Sequence, residues 1–84
     1  MTFTEKLRRL MKMHRPKMVA QVAGVSRATM AALVAGKHQP MIGTANAIAR
    51  AVGVDVGWLI DDTRDWPPVR TTPAMDRELE TNAA

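Results

Sequence analysis

The stretch from Lys17 to Leu33, KMVAQVAGVSRATMAAL, constrains the chain more than any other. Apolar residues recur there at helical spacing on both sides of Gly24, while Gly24 interrupts the run. A glycine takes the positive φ of a sharp helix stop without a steric cost. Ser26, two residues on, is a good N-cap for whatever helix follows. The expectation is two short helices, about Lys17–Ala23 and Arg27–Ala35, joined by a three- to four-residue turn. Ala20, four residues before Gly24, allows the helices to approach closely. Val25 plugs the gap between them. Met30 and Leu33 face the core, and Val19 and Val22 supply the opposing wall.

The rest of the chain reads as helix with little strand signal. A first helix is expected from about Thr4 to His14, with Leu7, Leu10, Met11 and His14 on one stripe. Thr2 and Glu5 fit a capping box, and Thr4 is a rival N-cap. Pro16 suits the first turn of the second helix, where no backbone donor is needed. Gly36 closes the third helix. A fourth is expected over Gly43–Val52, ended by Gly53, and Asp55 caps a short fifth through Trp58, Leu59 and Ile60. Pro67, Pro68 and Pro73 then interrupt any helix, so 61–73 reads as an extended linker. A weak helical turn is expected from Ala74 to Thr81. The division is a domain at 1–60 and a proline-containing tail at 61–84, extended or weakly helical and a candidate dimerisation element.

Charge follows the same division. Residues 1–60 carry nine basic side chains against Glu5 and Asp55, whereas 61–84 carry three against six acidic ones. A basic body of this kind suits a polyanionic partner, and the tail is acidic. The chain has no cysteine, so disulfides and thiolate-bound zinc are excluded. Its two histidines, His14 and His38, lack the neighbours of a metal site, and no cofactor is implied. No nucleophile–base pair or phosphate-cradling glycine loop argues for an enzyme. No apolar run approaches the ~20 residues needed to span a bilayer. Without the apolar stretch of a signal peptide near the N-terminus, a soluble, intracellular domain is the default expectation.

Two helices joined this way form a helix-turn-helix. Gly24-Val25-Ser26, Thr29-Met30, Ala35-Gly36-Lys37, Pro40, Ile48 to Val54 and Trp58-Leu59 together resemble the Cro/phage-repressor, or XRE-type, family. The similarity covers about Phe3 to Ile60. It implies an all-α, compact five-helix lambda-repressor-like domain that binds a double-stranded operator as a homodimer. The resemblance also implies a Cro-like regulator of a phage or prophage, or an antitoxin that represses its own operon and binds a protein partner through its tail. The sequence departs from the family at Pro16, which removes a backbone donor, and at Met41-Ile42, where Ser or Thr is usual after the proline.

In a helix-turn-helix the second helix of the pair enters the major groove with its N-terminal residues at the base edges. The base-contact candidates are therefore Ser26, Arg27, Ala28, Ala31 and Ala32. Arg27 is the only long polar side chain on that face, and a guanidinium can pair bidentately with guanine. The small alanines let the helix sit deep or meet thymine methyl groups. Phosphate-contact candidates are Lys17, Thr29, Lys37, His38 and Gln39, with Asn46 either reaching a phosphate or facing water. Trp58, Ile60 and Trp66 are the pairing candidates. Trp58 otherwise closes the fifth helix onto the core, and Trp66 otherwise clips the tail to its own domain.

Overall fold

Four of the five helices begin where a side chain or a proline settles an orphaned backbone group, and three end at a glycine that reverses the chain. The computed structural model of the protein describes residues 1–73. Helix α1 (Phe3–Met13) starts at Thr2, whose hydroxyl accepts from the Glu5 N–H at 3.2 Å. Helix α2 (Pro16–Ala23) has its proline in the first turn and ends at Gly24, φ 70°. The Val25 N–H there reaches back to the Ala20 carbonyl at 2.8 Å, which locks the turn. Helix α3 (Arg27–Val34) is capped by Ser26, whose hydroxyl accepts from the Thr29 N–H at 3.1 Å. Helix α4 (Ile42–Val52) ends at Gly53, and α5 (Val56–Ile60) is capped by the Asp55 carboxylate on the Trp58 N–H.

The core gathers one stripe from every helix. Leu7 and Leu10 of α1, Val19 and Ala20 of α2, Met30 and Leu33 of α3, Ile48 and Val52 of α4, and Trp58 and Leu59 of α5 are all buried. Ala20 is the small contact that lets α2 and α3 meet, and Val25 is half-buried against them. Helix α4 packs on α2 and α5, while α1 packs on α3 and α5. The five helices follow the expected order. Their bounds differ from the expected ones by a residue or so at the ends.

Residues 61–73 do not form an extended linker free of the body. They fold back across it as a strap. The Asp55 N–H donates to the Val69 carbonyl and the Thr71 N–H to the Gly53 carbonyl, each at 2.8 Å, around an isolated antiparallel bridge between Val54 and Arg70. Prolines prevent a helix here without preventing backbone pairing at the residues between them. Trp66 anchors the strap. Its ring meets Trp58 edge-on at 5.7 Å, and the Arg9 guanidinium lies 4.4 Å from its centroid. The helical turn expected over 74–81 lies outside the described residues.

The acidic residues of the strap serve α1. Asp62 accepts from the Phe3 N–H at 3.1 Å, and Asp65 pairs with the Met1 ammonium at 2.7 Å, both at the positive end of that helix. Lys6, a charged residue on α1, is fully buried. Its ammonium donates to the Trp58 and Asp61 carbonyls, each at 2.6 Å, and lies 4.7 Å from the Trp58 ring centre. A cation thus closes the carbonyl end of α5. Burial pushes the Lys6 pKa down, and the Asp61, Asp62 and Asp65 carboxylates oppose that shift.

Candidate nucleic-acid interface

Helix α3 is held by its C-terminal end and exposed at its N-terminal half. Arg8 donates from Nε to the Val34 carbonyl at 2.7 Å, placing a cation at the negative pole of α3. Thr4 of α1 also lies beside Gly36, where a Cβ would meet its methyl at 3.5 Å. At the other end, Ser26, Arg27, Ala28 and Thr29 are all exposed. The Ser26 hydroxyl is engaged twice, accepting from the Thr29 N–H and donating to the Thr29 hydroxyl at 2.9 Å. That cap fixes the direction in which the first turn of α3 projects.

The exposed face of α3 forms a ridge between two grooves. On one side Arg27 and Ala31 line a groove of about 630 Å³ shared with α1 and the start of α2. On the other, Ala28, Thr29 and Ala32 line one of about 320 Å³ shared with His38, Gln39, Pro40 and Thr44. The four-residue steps from Arg27 to Ala31 and from Ala28 to Ala32 put each pair on one side of the helix. Ala32 is half-buried, the other candidates on α3 are exposed, and Met30 and Leu33 point into the core. Arg27 is thus the one long polar side chain on the ridge.

The remaining sequence candidates fall into three places. Lys17 lies on the rim of the larger groove, beside Arg27. His38 and Gln39 border the smaller one, and Lys37 is exposed just after the turn that ends α3. Asn46 does not join them. It is exposed on another side of α4, in a groove with Arg50, Val54, Asp55 and Thr71. Of the pairing candidates, Trp58 is 1% exposed inside the core and offers no surface, because its ring is covered by Lys6 and Trp66. Trp66 is half-buried and clips the strap to its own domain, whereas Ile60 is 41% exposed.

Sequence reasoning missed two exposed apolar residues at the start of α4. Met41 and Ile42 are 79% and 68% exposed, and Ile42 shares a groove with Ile60, Phe3 and Pro40. The signal was their hydrophobicity at the positions where the resembling family is polar. Among the described residues no cluster of three or more His, Asp or Glu side chains is arranged to hold a metal ion. Among the same residues, no helix is long and apolar enough to cross a membrane. A family model described as Helix-turn-helix matches residues 5–59. No curated protein and no solved structure matches the chain.

Proposed function

The chain belongs to the XRE-type helix-turn-helix family of DNA-binding transcriptional regulators, and from that premise we propose that it reads a palindromic operator as a homodimer, as a Cro-like phage or prophage repressor does. The observation that carries the reading is the ridge of α3. It is alanine-lined, exposed at its N-terminal half, and bears one guanidinium. In this reading Arg27 pairs with a guanine, Ala28 and Ala31 face the groove floor, and Ala32 meets it at the edge. Ser26 and Thr29 hold the first turn and approach a phosphate. Lys17, Lys37, His38 and Gln39 neutralise phosphates on either side. Few polar side chains face the bases, so part of the preference comes from DNA shape.

One domain reads half an operator, and two-fold pairing sets the two α3 helices ~34–36 Å apart. Met41, Ile42 and Ile60 are the pairing surface in this proposal, since all three are exposed and apolar, Met41 and Ile42 are consecutive, and Ile42 shares a groove with Ile60. The antitoxin alternative draws on the tail. With 61–73 engaged on the body, a partner contact there falls to residues 74–84, outside the described residues.

The test is selection from a random duplex library followed by binding measurements on the selected site. The expected site is two-fold symmetric, with affinity falling as salt rises. Arg27→Ala should cost ~1–3 kcal/mol on that site and little on scrambled DNA. Equal affinities of the parent protein for selected and scrambled duplexes would overturn the proposal.

A further inference from the structure

The groove between α3, α1 and the start of α2 pairs an apolar floor with basic ends. Helix α3 gives it one continuous stripe, Arg27, Met30, Ala31, Val34 and Ala35, at the three- and four-residue steps of a single helix face. Met11 of α1 and Ala20 of α2 complete the floor. Methionine re-packs around apolar groups of different shape, and two of them, Met11 and Met30, line this groove.

The cations stand around that floor rather than in one cluster. Arg27 opens α3, and Arg8 is held by its Nε at the Val34 carbonyl, where α3 closes. Seven residues at 1.5 Å rise set these two points of the helix ~10 Å apart. Lys17, in the first turn of α2, is the third cation. No acidic side chain lines the groove, and among the described residues the ion pair is Met1 with Asp65, so all three charges are uncompensated.

A single small carboxylate answers only one end of this groove. The sugar-phosphate chain of DNA answers both ends but brings nothing apolar to the methionines. A helix with acidic side chains two turns apart and apolar ones between them matches the floor and both ends. Laying the apolar face of such a helix into a groove is a common mode of peptide recognition.

We propose that this groove docks an acidic amphipathic helix of a partner protein, with its apolar side chains on Met11 and Met30 and its carboxylates at Arg8 and Arg27. Docked there, the helix covers Arg27 and Ala31 and excludes operator DNA. The exclusion rests on the reading of α3 given above, whereas the docking does not.

The probe is a synthetic alanine-based helical peptide of about 15 residues, with two glutamates two turns apart and two leucines between them on one face. Added to the full chain, it should move the Met11, Met30 and Ala31 methyl NMR signals and leave those of Met13 and Met41, which lie outside the groove. Arg8→Gln and Arg27→Gln should each weaken binding about two- to fivefold, the range of an exposed ion pair. Arg27 is exposed, so its variant stays folded even where loss of the Arg8–Val34 bond loosens α3. Peptides with glutamines for the glutamates, or serines for the leucines, should bind about tenfold more weakly. Unmoved groove methyls, or equal binding of the glutamine peptide, overturn the docking. A scrambled duplex that moves the Met11 and Met30 methyls as far as the peptide does assigns the floor to DNA and overturns it too. Decanoate moving the same methyls at equal or lower concentration overturns the helical occupant in favour of a small amphipathic anion. Moved methyls with unchanged operator affinity under saturating peptide overturn the exclusion. If selection yields no site, the reading of α3 fails, and the methyl titration still decides the docking.

Discussion

Replacing Lys6 with methionine should destabilise the domain far more than a lysine substitution on a helix surface normally does. The ammonium donates two 2.6 Å hydrogen bonds, to the Trp58 and Asp61 carbonyls, from a fully buried position. Hydrogen bonds to a charged group contribute ~1.5–3 kcal/mol each, which gives a gross loss of ~3–6 kcal/mol. Methionine keeps an unbranched stem, so no large cavity opens, and it relieves the burial that lowers the Lys6 pKa. The net loss should be about 2–4 kcal/mol. A domain of this size has only ~4–13 kcal/mol in hand, and each kcal/mol moves Tm by ~4–8 °C. Thermal and urea unfolding followed by circular dichroism read the difference directly. Lys12→Met, exposed on the same helix, is the control and should stay within ~0.5 kcal/mol of the parent. A Lys6→Met loss as small as that of the control would refute the reasoning.

Other consequences follow from the same contacts. Ala31→Glu should leave unfolding within ~0.5 kcal/mol, since the residue is exposed, yet remove binding to the selected duplex in a mobility-shift assay. Gly53→Ala should cost at least ~1 kcal/mol more than Gly24→Ala on chemical denaturation. Both glycines have positive φ, but only at Gly53 would the new Cβ meet the strap, at Pro73 and Thr71. On the acid side, hydrogen bonds from Thr63 hold the Asp61 carboxyl below its ordinary 3.8, and the Met1 ammonium does the same for Asp65. Their contribution is present above the ordinary carboxylate value and lost as pH falls through the lowered ones, so Asp61→Asn should flatten the acid limb of a stability–pH curve. Lys6 acts in the same direction at the alkaline end. Its folded-state pKa lies below 10.5, so raising the pH toward 10.5 adds stability at that group.

The helices were legible because each carries local instructions. Thr2, Ser26 and Asp55 accept the N–H groups that their positions in the sequence predict. Gly24, Gly36 and Gly53 all have positive φ where the apolar periodicity stops. The exposed residues of α3 were legible too, by subtracting Met30 and Leu33 from an eight-residue helix. The strap was not. Its anchors, Trp58 against Trp66 and Gly53 against Thr71, pair residues across a turn whose direction no local signal sets. The burial of Lys6 was not legible either, because its two acceptors lie 52 and 55 residues away. Its spacing held a clue, since it sits three residues after Phe3 and four before Leu10, both buried. For Asn46 the sequence left a phosphate contact and a water-facing position open, and only the packing of α4 on α2 and α5 sets it in a groove away from α3.

In the proposed reading, the N-terminal half of α3 is the surface that meets DNA. Backbone amide NMR of the protein titrated with its selected duplex tests this most directly. The largest shifts are expected at Ser26 through Ala32, smaller ones at Lys17 and Lys37–Gln39, and almost none at the strap residues Asp65–Thr71. Large shifts along the strap with α3 unmoved would contradict it.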